Sequence, residues 1–444
     1  MGSLEKKFSG AILRMVRARR ETSPVRSADS SGSSSGAVAP AKLREAQFSD
    51  FKGVAELKQR WGMASDSIEN WERLWRHNPA FEKMQTKPPI GWVLEAEGRV
   101  VGYHGNIALL YHYGDKRLTA AAGHGLVVDT AYRSFTVTLV AAFYRQRSVD
   151  LYLTTTAIPE VGRIAKAFKS DALPQADYET VLFWVLQPYS FGKAMLEKLG
   201  LAPGISGIGS VVAALAVGTD KVLRRRWPRH SAAPLVINEI TVGEIRDDFE
   251  TLWTEKLTEC PRLLADRSPA TLRWHFQIPG DRGSACVLCC RRNGELVGYA
   301  VVRNDPQPNG LRKSVLADML AKQDDAEVLR ALLVATHDHA KRSGSYILEV
   351  LGFPSSIREI CLEWNPYRRK YPACPFYYKA ADPALHQTLS DGKAWYASPF
   401  DGDTTLIRPS YSDIVPAEDS GRKLEVSGNT VAPVVPEAAR TGVF

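Results

Sequence analysis

A mixed α/β fold, also classed as α+β, is predicted by the order of apolar and polar segments in this chain. The stretch Gly123–Thr156 combines an apolar strand, a polar turn, a helix with apolar residues at helical spacing, and a second strand. The hairpin pattern of Glu97–Tyr103 returns 196 residues later in Asn293–Tyr299. A tryptophan-containing helix before Pro79 returns 200 residues later, before Pro279. This repeat predicts two similar domains, each a mixed central sheet flanked by helices.

Composition indicates a globular protein without a nucleic-acid-binding face. The chain has 444 residues, of which 44% are hydrophobic and 24% are charged. The formal net charge is +8, and residues 1–26 alone hold seven Lys and Arg against two Glu. Because these basic residues lie in a tail and not among domain aromatics, we expect no nucleic-acid binding. No apolar run reaches the roughly 18 residues of a membrane span, and no secretory signal is visible, so we expect a cytoplasmic protein.

Three segments lie outside the predicted domains. Residues 1–40 are expected to form a disordered basic tail and linker, because a basic amphipathic stretch is followed by a Ser/Gly/Ala/Pro-rich run. Residues 187–233 are expected to form a helical connector, and residues 411–444 a flexible C-terminal tail. Peripheral membrane contact through the basic N-terminus or residues 199–229 is an alternative to a frayed tail and to packing between domains.

The first predicted domain covers residues 41–186, in which one strand and two helices precede a run of strands, and two further helices then alternate with strands. Its helices are expected from Asp50, from Ser65 or Asp66, from Phe135 and over Pro159–Lys169. Its strands are expected at Lys42–Phe48, Gly91–Glu97, Arg99–His104, Ile107–Tyr113, Leu118–Asp129, Leu151–Thr154 and Thr180–Leu186.

The second predicted domain covers residues 234–410 and repeats this order. Its last strand, Cys374–Lys379, is expected to close its own sheet. Cys286, Cys289 and Cys290 stand in an apolar strand with no second Cys or His pair at ligand spacing, so core packing is favoured and no metal site is predicted. His337 and His339 are two residues apart on a helix and do not share a face, so we interpret them as surface residues.

The turn after the apolar strand of Gly123–Thr156 carries Arg133, followed by Thr136 and Thr138. This segment resembles the acyl-CoA-binding motif of the GNAT acyltransferase superfamily, Arg/Gln-x-x-Gly-x-Gly/Ala. Arg133 matches the first position, and the two threonines stand where the family has glycines. The resemblance rests on the order of elements and covers about residues 42–186.

Tandem halves of this kind are similar to myristoyl transferases, to Fem-type aminoacyl transferases and to acyltransferases of bacterial exopolysaccharide clusters. The last group fits best. The features that carry this resemblance are Asn78-Pro79 after a tryptophan-rich helix, and Trp395-Tyr396 shortly before Asp401-Gly402-Asp403.

The resemblance implies an acyl-CoA co-substrate, acetyl-CoA or another acyl-CoA, bound by the first half. A helix start that follows a strand offers backbone N–H groups to phosphate. The implied contacts are the Leu126–Val128 strand beside the thioester and the 133–138 turn at the pyrophosphate. The implied cofactor-binding residues are Leu126, Val127, Val128, Arg133, Ser134, Phe135, Thr136, Val137 and Thr138.

Acyl transfer also needs a base for the proton of the acceptor. His124, three residues before Val127, is the first candidate, because histidine titrates near neutral pH. The alternative is a histidine hydrogen-bonded within the sheet, and Glu95 and His104 are weaker candidates. The family's general acid is often a tyrosine in the helix after the fifth strand. This chain has none at Gly162–Phe168, and Tyr178 is the nearest substitute.

The second half has acidic residues, Asp324 and Asp325, where the first half has its CoA turn. Because carboxylates repel phosphate, we expect only the first half to bind the donor. Asp318, in the central strand of this half, is a candidate to face the acceptor across the interdomain cleft. The alternative is a core or capping aspartate.

The sequence therefore predicts an acyl-CoA-dependent N- or O-acyltransferase, of GNAT type, that acts on a small-molecule acceptor such as a sugar or amino sugar. Polysaccharide biosynthesis is the implied context. A Fem-type aminoacyl transferase is one alternative, although the long helical arm usual in that group is not evident. A non-catalytic acyl-CoA-binding or scaffold protein is the other.

Deletion of residues 1–40 tests the predicted division of the chain. This segment lacks an apolar core and carries a Ser/Gly linker, so it is expected to contribute little to folding. A chain that starts at Ala41 should melt within about one or two degrees of the full chain by calorimetry. A large fall in Tm would show that the tail packs on a domain.

Overall fold

The computed structural model describes residues 39–407, except residues 148, 157–158, 199–210, 212–213, 216, 221–233, 281–283, 308 and 371–374. The expected N-terminal tail up to residue 38, most of the 199–229 segment and the 411–444 tail lie outside the described residues. Among the described helices, none combines the length and the apolar character needed to cross a bilayer.

Fifteen strands form two sheets among the described residues. They are β1 (Lys42–Glu45), β2 (Gly91–Ala96), β3 (Arg99–Tyr113), β4 (Lys116–Val128), β5 (Leu151–Thr154), β6 (Asp171–Ala172), β7 (Thr180–Val185), β8 (Val236–Thr241), β9 (Leu263–Ala265), β10 (Ala285–Arg292), β11 (Glu295–Pro306), β12 (Arg312–Ala321), β13 (Ile347–Val350), β14 (Tyr367–Lys370) and β15 (Tyr377–Ala380).

The main α-helices flank these sheets. They are α1 (Phe51–Arg60), α2 (Ile68–Trp75), α3 (Pro79–Lys83), α4 (Thr136–Tyr144), α5 (Pro159–Ala167), α6 (Pro188–Lys198), α7 (Asp248–Glu259), α8 (Pro269–Phe276), α9 (Ala326–Arg342), α10 (Ser355–Leu362) and α11 (Pro383–Thr388).

The two sheets have the same internal plan. The first has the order β1-β2-β3-β4-β5-β15-β6, with β9 also paired to β3, and the second has the order β14-β7-β13-β12-β11-β10-β8. Each contains one parallel pair, β4 with β5 and β12 with β13. A helix, α4 or α9, makes the crossover that a parallel pair requires. The predicted mixed α/β fold, with two mixed sheets flanked by helices, is confirmed.

The two halves exchange strands. The strand expected to end the first sheet forms as β7, but it pairs with β13 and β14 in the second sheet. The strand expected to close the second sheet forms as β15, but it pairs with β5 and β6 in the first. Apolar patterning identifies a strand and does not identify its partner, which explains why sequence order misplaced both.

The repeated tryptophan helices also pack against each other. The Arg73 guanidinium of α2 donates to the Trp274 carbonyl of α8 at 2.6 Å, and the Trp274 indole donates to the Arg73 carbonyl at 2.8 Å. Arg73 also donates to the Leu406 carbonyl at 2.7 Å. One continuous cluster of buried apolar side chains includes residues of both halves. Strand exchange and this packing join the two sheets into one continuously packed structure.

Proteolytic cleavage between the halves tests the strand exchange. We expect a chain with a site-specific protease site inserted between Gly204 and Ile205 to remain one particle after complete cleavage, because β7 and β15 hold the fragments together. Size-exclusion chromatography of the cut protein measures this. Cleavage at a matched site inserted between Ser35 and Gly36 is the control, and it should release its fragment. Separate elution of the two halves without denaturant would contradict the pairing.

Candidate active site

The strand β4 is bulged against β3 near His124, and its pairing with β5 ends just before this point. Opposite β3, Tyr103 faces Val127 and Gly105 faces His124, so β4 carries a bulge between these two pairs. On its other side β4 pairs with β5 over only Ala120–Ala122 in the described residues. Gly125 lies at the bulge with φ +61°, a conformation that favours glycine. The end of β4 therefore diverges from β5, and beyond Ala122 the backbone groups on that side of β4 have no β5 partner among the described residues.

Four charged or titratable side chains meet at this bulge. The His124 Nδ1 atom lies 3.4 Å from Asp403 Oδ2, and its Nε2 atom lies 3.5 Å from Lys58 Nζ and 3.8 Å from Asp66 Oδ2. Lys58 also donates to Asp66 at 2.8 Å. The side chains of His124 and Asp403 are 8% and 6% exposed. The cluster is thus nearly closed to solvent, so its charges interact strongly.

Asp403 reaches His124 from a loop near the end of the described chain. Its Oδ1 atom accepts from Thr155 Oγ1 at 2.7 Å and from Thr156 Oγ1 at 3.1 Å, and its backbone N–H donates to Thr155 Oγ1 at 3.1 Å. Gly402, with φ +65°, allows this approach, because a Cβ there would meet Thr155 at 2.3 Å. The loop therefore places a carboxylate between the end of β5 and the bulge of β4.

The electrostatics of the cluster favour a charged imidazole. Burial and the nearby Lys58 ammonium oppose protonation of His124. The hydrogen bonds to Asp403 and Asp66, with the Asp66 charge, outweigh them, so the His124 pKa lies above its ordinary value of 6.5. Burial also acts against ionisation of Asp66, but His124 and Lys58 hold its pKa well below the usual range. The two carboxylates therefore favour the imidazolium form of His124 more than water would favour it for a free imidazole.

The predicted CoA turn is helical in the structure. A 3-10 helix covers Thr130–Phe135 and continues directly into α4. The Thr136 N–H already donates to the Arg133 carbonyl, and Phe135 provides no side-chain cap to α4. The segment predicted as a turn is thus a 3-10 helix, and the α-helix expected from Phe135 begins one residue later, at Thr136.

The predicted phosphate-contacting side chains stand on the outside of this helix. Arg133, Ser134, Val137 and Thr138 are exposed, whereas Phe135 and Thr136 are half-buried. Val127 is buried in the sheet, and Leu126 and Val128 on either side of it are half-buried. Eight of the nine implied contacts therefore keep accessible surface near the β4 and α4 junction, and Val127 is the buried one.

Arg133 is held at the end of α1. Its guanidinium lies 5.5 Å from the Trp61 ring centroid, in the geometry of a cation–π contact. The Trp61 indole donates to Asp129 at 2.8 Å, and Arg60 pairs with the same carboxylate at 2.8 Å. Asp129 thereby neutralises Arg60 and also holds the Trp61 ring that contacts the Arg133 guanidinium.

Asp318 and Tyr178 belong to a different cluster. Asp318 is fully buried and accepts from Arg267 Nε at 3.0 Å, Tyr299 OH at 2.8 Å and Ser398 Oγ at 3.0 Å. Tyr178 is also buried, and its OH donates to the Ser398 carbonyl at 3.4 Å. The structure joins these two residues through Ser398 and not through His124. The geometry favours the core interpretation of Asp318.

Both carboxylates of the acidic turn in the second half already have partners. Asp324 accepts from Lys256 at 2.6 Å and from Arg262 at 2.8 Å. Asp325 caps α9 by accepting from the backbone N–H groups of Glu327 and Val328. The start of α9 thus carries a carboxylate on its N–H groups, while the start of α4 has no side-chain cap.

Sequence reasoning missed Lys58 and Asp66, and assigned no role to Asp403. Lys58 is 66 residues from His124 in the chain, and Asp403 is 279 residues away. Asp403 was noticed within Asp401-Gly402-Asp403 as a family feature. The one available signal was a pair of aspartates around a glycine, and that pattern is also typical of ordinary turns.

Comparison with solved structures shows a fold that this chain shares with another protein, whereas the sequence comparisons found no match. No family model matches the sequence, and no curated protein matches it. A conserved protein of unknown function from Enterococcus faecalis, described as a probable N-acyltransferase, superposes with a TM-score of 0.50 at 8% identity, over 77% of this chain and 73% of that one. This level of similarity shows a shared fold.

Two further solved structures superpose over similar lengths. A GCN5-related N-acetyltransferase from Anabaena variabilis has a TM-score of 0.49 at 9% identity, over 77% of this chain and 73% of that one. Saccharomyces cerevisiae N-myristoyltransferase, solved with bound myristoyl-CoA, has a TM-score of 0.48 at 13% identity, over 81% of this chain and 84% of that one.

The dependence of stability on pH tests the charged state of His124. Because its pKa is raised in the folded protein, its stabilisation is complete below about pH 6.5 and is lost as pH rises through the raised pKa. The difference in Tm between wild type and His124→Gln should therefore shrink as pH increases above 6.5.

His104 is the control of opposite sign. Burial lowers the pKa of His104 to about 4, so its contribution is complete above pH 6.5 and is lost as pH falls toward 4. The Tm difference between wild type and His104→Gln should thus shrink in the acid direction. A His124→Gln difference that is flat from pH 6 to pH 9 would show that the imidazole is not charged in the fold.

Proposed function

We propose that this protein is a GNAT-type acyltransferase that transfers an acyl group from acyl-CoA to an amine or hydroxyl group of a small acceptor. The observation that carries the proposal is the divergence of β4 from β5 with His124 and Asp403 at its base. An accessible helix with Arg133 follows at the end of the same strand. The fold shared with the Enterococcus faecalis protein, whose description names it a probable N-acyltransferase, agrees with this proposal.

The donor is proposed to bind at the β4 and α4 junction. The guanidinium of Arg133 and the hydroxyl groups of Ser134 and Thr138 are exposed on one side, where phosphate oxygens find charged and neutral donors. Beyond Ala122 the β4 backbone has no β5 partner in the described residues, so the N–H groups on that side of Leu126–Val128 are available to the thioester carbonyl. Acetyl-CoA is the simplest donor, and longer acyl chains belong to the same proposal.

His124 is the proposed base. The acceptor nitrogen or oxygen attacks the thioester carbonyl carbon, its proton passes to a neutral imidazole, and the carbon–sulfur bond breaks to release the CoA thiolate. Asp403 would hold Nδ1–H, so that Nε2 accepts the proton. Because the His124 pKa is raised, the neutral imidazole becomes abundant only above pH 6.5. Solvent supplies the proton for the thiolate.

A sugar or amino sugar is the proposed acceptor, and polysaccharide biosynthesis is the proposed context. This part rests on the resemblance carried by Asn78-Pro79 and Asp401-Gly402-Asp403. A residue of each motif also makes a structural contact in this protein. Asn78 caps α3 and also donates to the Ala108 carbonyl at 2.8 Å. Asp403 fixes the His124 imidazole.

Two substitutions should separate donor binding from chemistry. Arg133→Ala removes one charge-assisted contact, so the KM for acyl-CoA should rise about ten-fold or more, with a smaller effect on kcat. His124→Ala removes the base, so kcat should fall by about two to four orders of magnitude with little change in CoA affinity. In wild type the rate should rise with pH above 6.5, and this acid limb should vanish in His124→Ala.

Arg292→Ala is the matched control for Arg133. Arg292 ends β10, and its guanidinium reaches the corresponding helix start of the second half, where it pairs with Asp325 at 2.9 Å, so CoA affinity should not change. Calorimetry with CoA, acetyl-CoA and longer acyl-CoAs measures binding without a known acceptor. Binding of aminoacyl-tRNA and not of acyl-CoA would favour a Fem-type transferase. Acyl-CoA binding with unchanged turnover in His124→Ala would remove the base from the proposal.

A further inference from the structure

Three side chains with metal-binding atoms meet at the outer edge of the second sheet, away from the proposed donor site. They are Glu239 on β8, Cys286 on β10 and His339 on α9, and their ligand atoms all lie within 4.8 Å of one another. Cys286 pairs with Thr241 across the two strands, so Glu239, two residues before Thr241, shares its face of the sheet. The helix α9 covers this face, and His339 Nδ1 lies 3.4 Å from Glu239 Oε2.

We propose that Glu239, Cys286 and His339 form a binding site for a divalent, thiophilic cation such as Zn²⁺. Thiolate, imidazole and carboxylate are the side-chain ligands that zinc uses in proteins, and three of them leave a fourth position for water. The mixed sulfur, nitrogen and oxygen set argues against Mg²⁺ and Ca²⁺, which prefer oxygen ligands. This site is independent of the proposed acyltransferase activity.

Metal binding requires a thiolate and a neutral imidazole nitrogen. The Cys286 thiol therefore releases its proton to solvent as the metal–sulfur bond forms, and His339 binds through a ring nitrogen that carries no proton.

The side chains around His339 provide the support that such a ligand needs. Asn304 Nδ2 lies 3.2 Å from His339 Nε2, and Asn304 Oδ1 accepts from Ser314 Oγ at 2.6 Å. Rotation of the Asn304 amide by 180° would let its Oδ1 accept from Nε2–H, and the Ser314 hydroxyl would then accept from Nδ2. Nδ1 is thereby freed for the metal, and the other ring nitrogen is held by a neighbour.

Two small adjustments complete the site. Arg342 pairs with Glu239, but the Arg342 side chain is 61% exposed, so solvent compensates for its release. Ligand atoms around zinc are about 3.3–3.8 Å apart, given metal–ligand distances of roughly 2.0–2.3 Å. The three atoms must therefore approach one another by up to about 1.0–1.5 Å, and rotation of the exposed Glu239 side chain contributes to this movement.

The cysteine pattern of β10 and the histidine pair of α9 each supply one residue of this site. Cys289 and Cys290 are buried in the core, so Cys286 is the accessible cysteine of its strand. His337 is buried as well, which contradicts the surface interpretation of that residue. His339 remains half-buried beside Glu239. One residue from each pattern joins a glutamate from a third element, and sequence spacing cannot show this arrangement.

Cobalt spectroscopy on the full chain tests the site. Titration of the chelator-treated protein with Co²⁺ should produce a thiolate-to-cobalt charge-transfer band in the near ultraviolet, and Zn²⁺ should abolish it. Cys286→Ser should remove the band. Cys260→Ser, which changes an exposed cysteine elsewhere, should keep it and serves as the matched control. His339→Gln and Glu239→Gln should each weaken Co²⁺ binding by about ten-fold or more.

Thermal melting gives a second, independent measurement. Zn²⁺ should raise the Tm of wild type and of Cys260→Ser, but not of Cys286→Ser. Absence of the band in wild type, or its persistence in Cys286→Ser, overturns the proposal. If Cys286→Ser does not fold, the two glutamine variants decide, and unchanged Co²⁺ affinity in both overturns it equally.

Discussion

The loop that contains Asp401 and Asp403 is held between the two sheets by buried carboxylate contacts. Asp401 accepts from Tyr111 OH of β3 at 2.9 Å and from the Ser398 N–H at 2.8 Å, and the Arg267 guanidinium lies 3.9 Å away. Arg267 also forms the fully buried pair with Asp318 of β12. Removal of one partner of such a pair costs about 3–5 kcal/mol, because it leaves an uncompensated buried charge. The network therefore fixes how the first sheet, the second sheet and the loop meet, more than it adds to net stability.

The anchoring of this loop through Asp401 also determines the geometry of the candidate active site. Asp403 is two residues after Asp401, so the contacts that anchor Asp401 also set where the second carboxylate can lie. Burial raises the pKa of Asp401 to about 6, against the opposing charge of Arg267, whereas Asp403 is held by threonine hydroxyl groups and faces an imidazole. Two aspartates in one short motif thus have different tasks, because their environments differ. The first links the halves, and the second orients the candidate base.

Local features could be predicted from the sequence, and distant pairings could not. The turns at Glu97-Gly98 and Asn293-Gly294 have positive φ at both residues, and the adjacent strands form where their alternating pattern indicates. The exchange of β7 and β15 could not be inferred, because any exposed strand edge satisfies the same hydrogen-bonding groups.

In the candidate site, His124 could be identified from its position beside an apolar strand. Its partners Lys58, Asp66 and Asp403 come from a helix, a loop and the far end of the chain, and only packing of those elements brings their charges together.

The two repeated halves differ in charge at the start of the helix that makes each parallel crossover, α4 in the first half and α9 in the second. At α9, Asp325 occupies the first N–H groups, and Lys256, Arg262 and Arg292 are already paired with Asp324 or Asp325. An anion that approached this end would meet two carboxylates and no unpaired cation among those three residues. At α4, Asp129 pairs with Arg60, and the guanidinium of Arg133 rests on the Trp61 ring with its edge exposed to solvent. The same fold element thus has opposite electrostatic character in the two halves. This asymmetry, rather than a glycine motif, is the physical argument for the proposal that the first half binds the acyl-CoA donor.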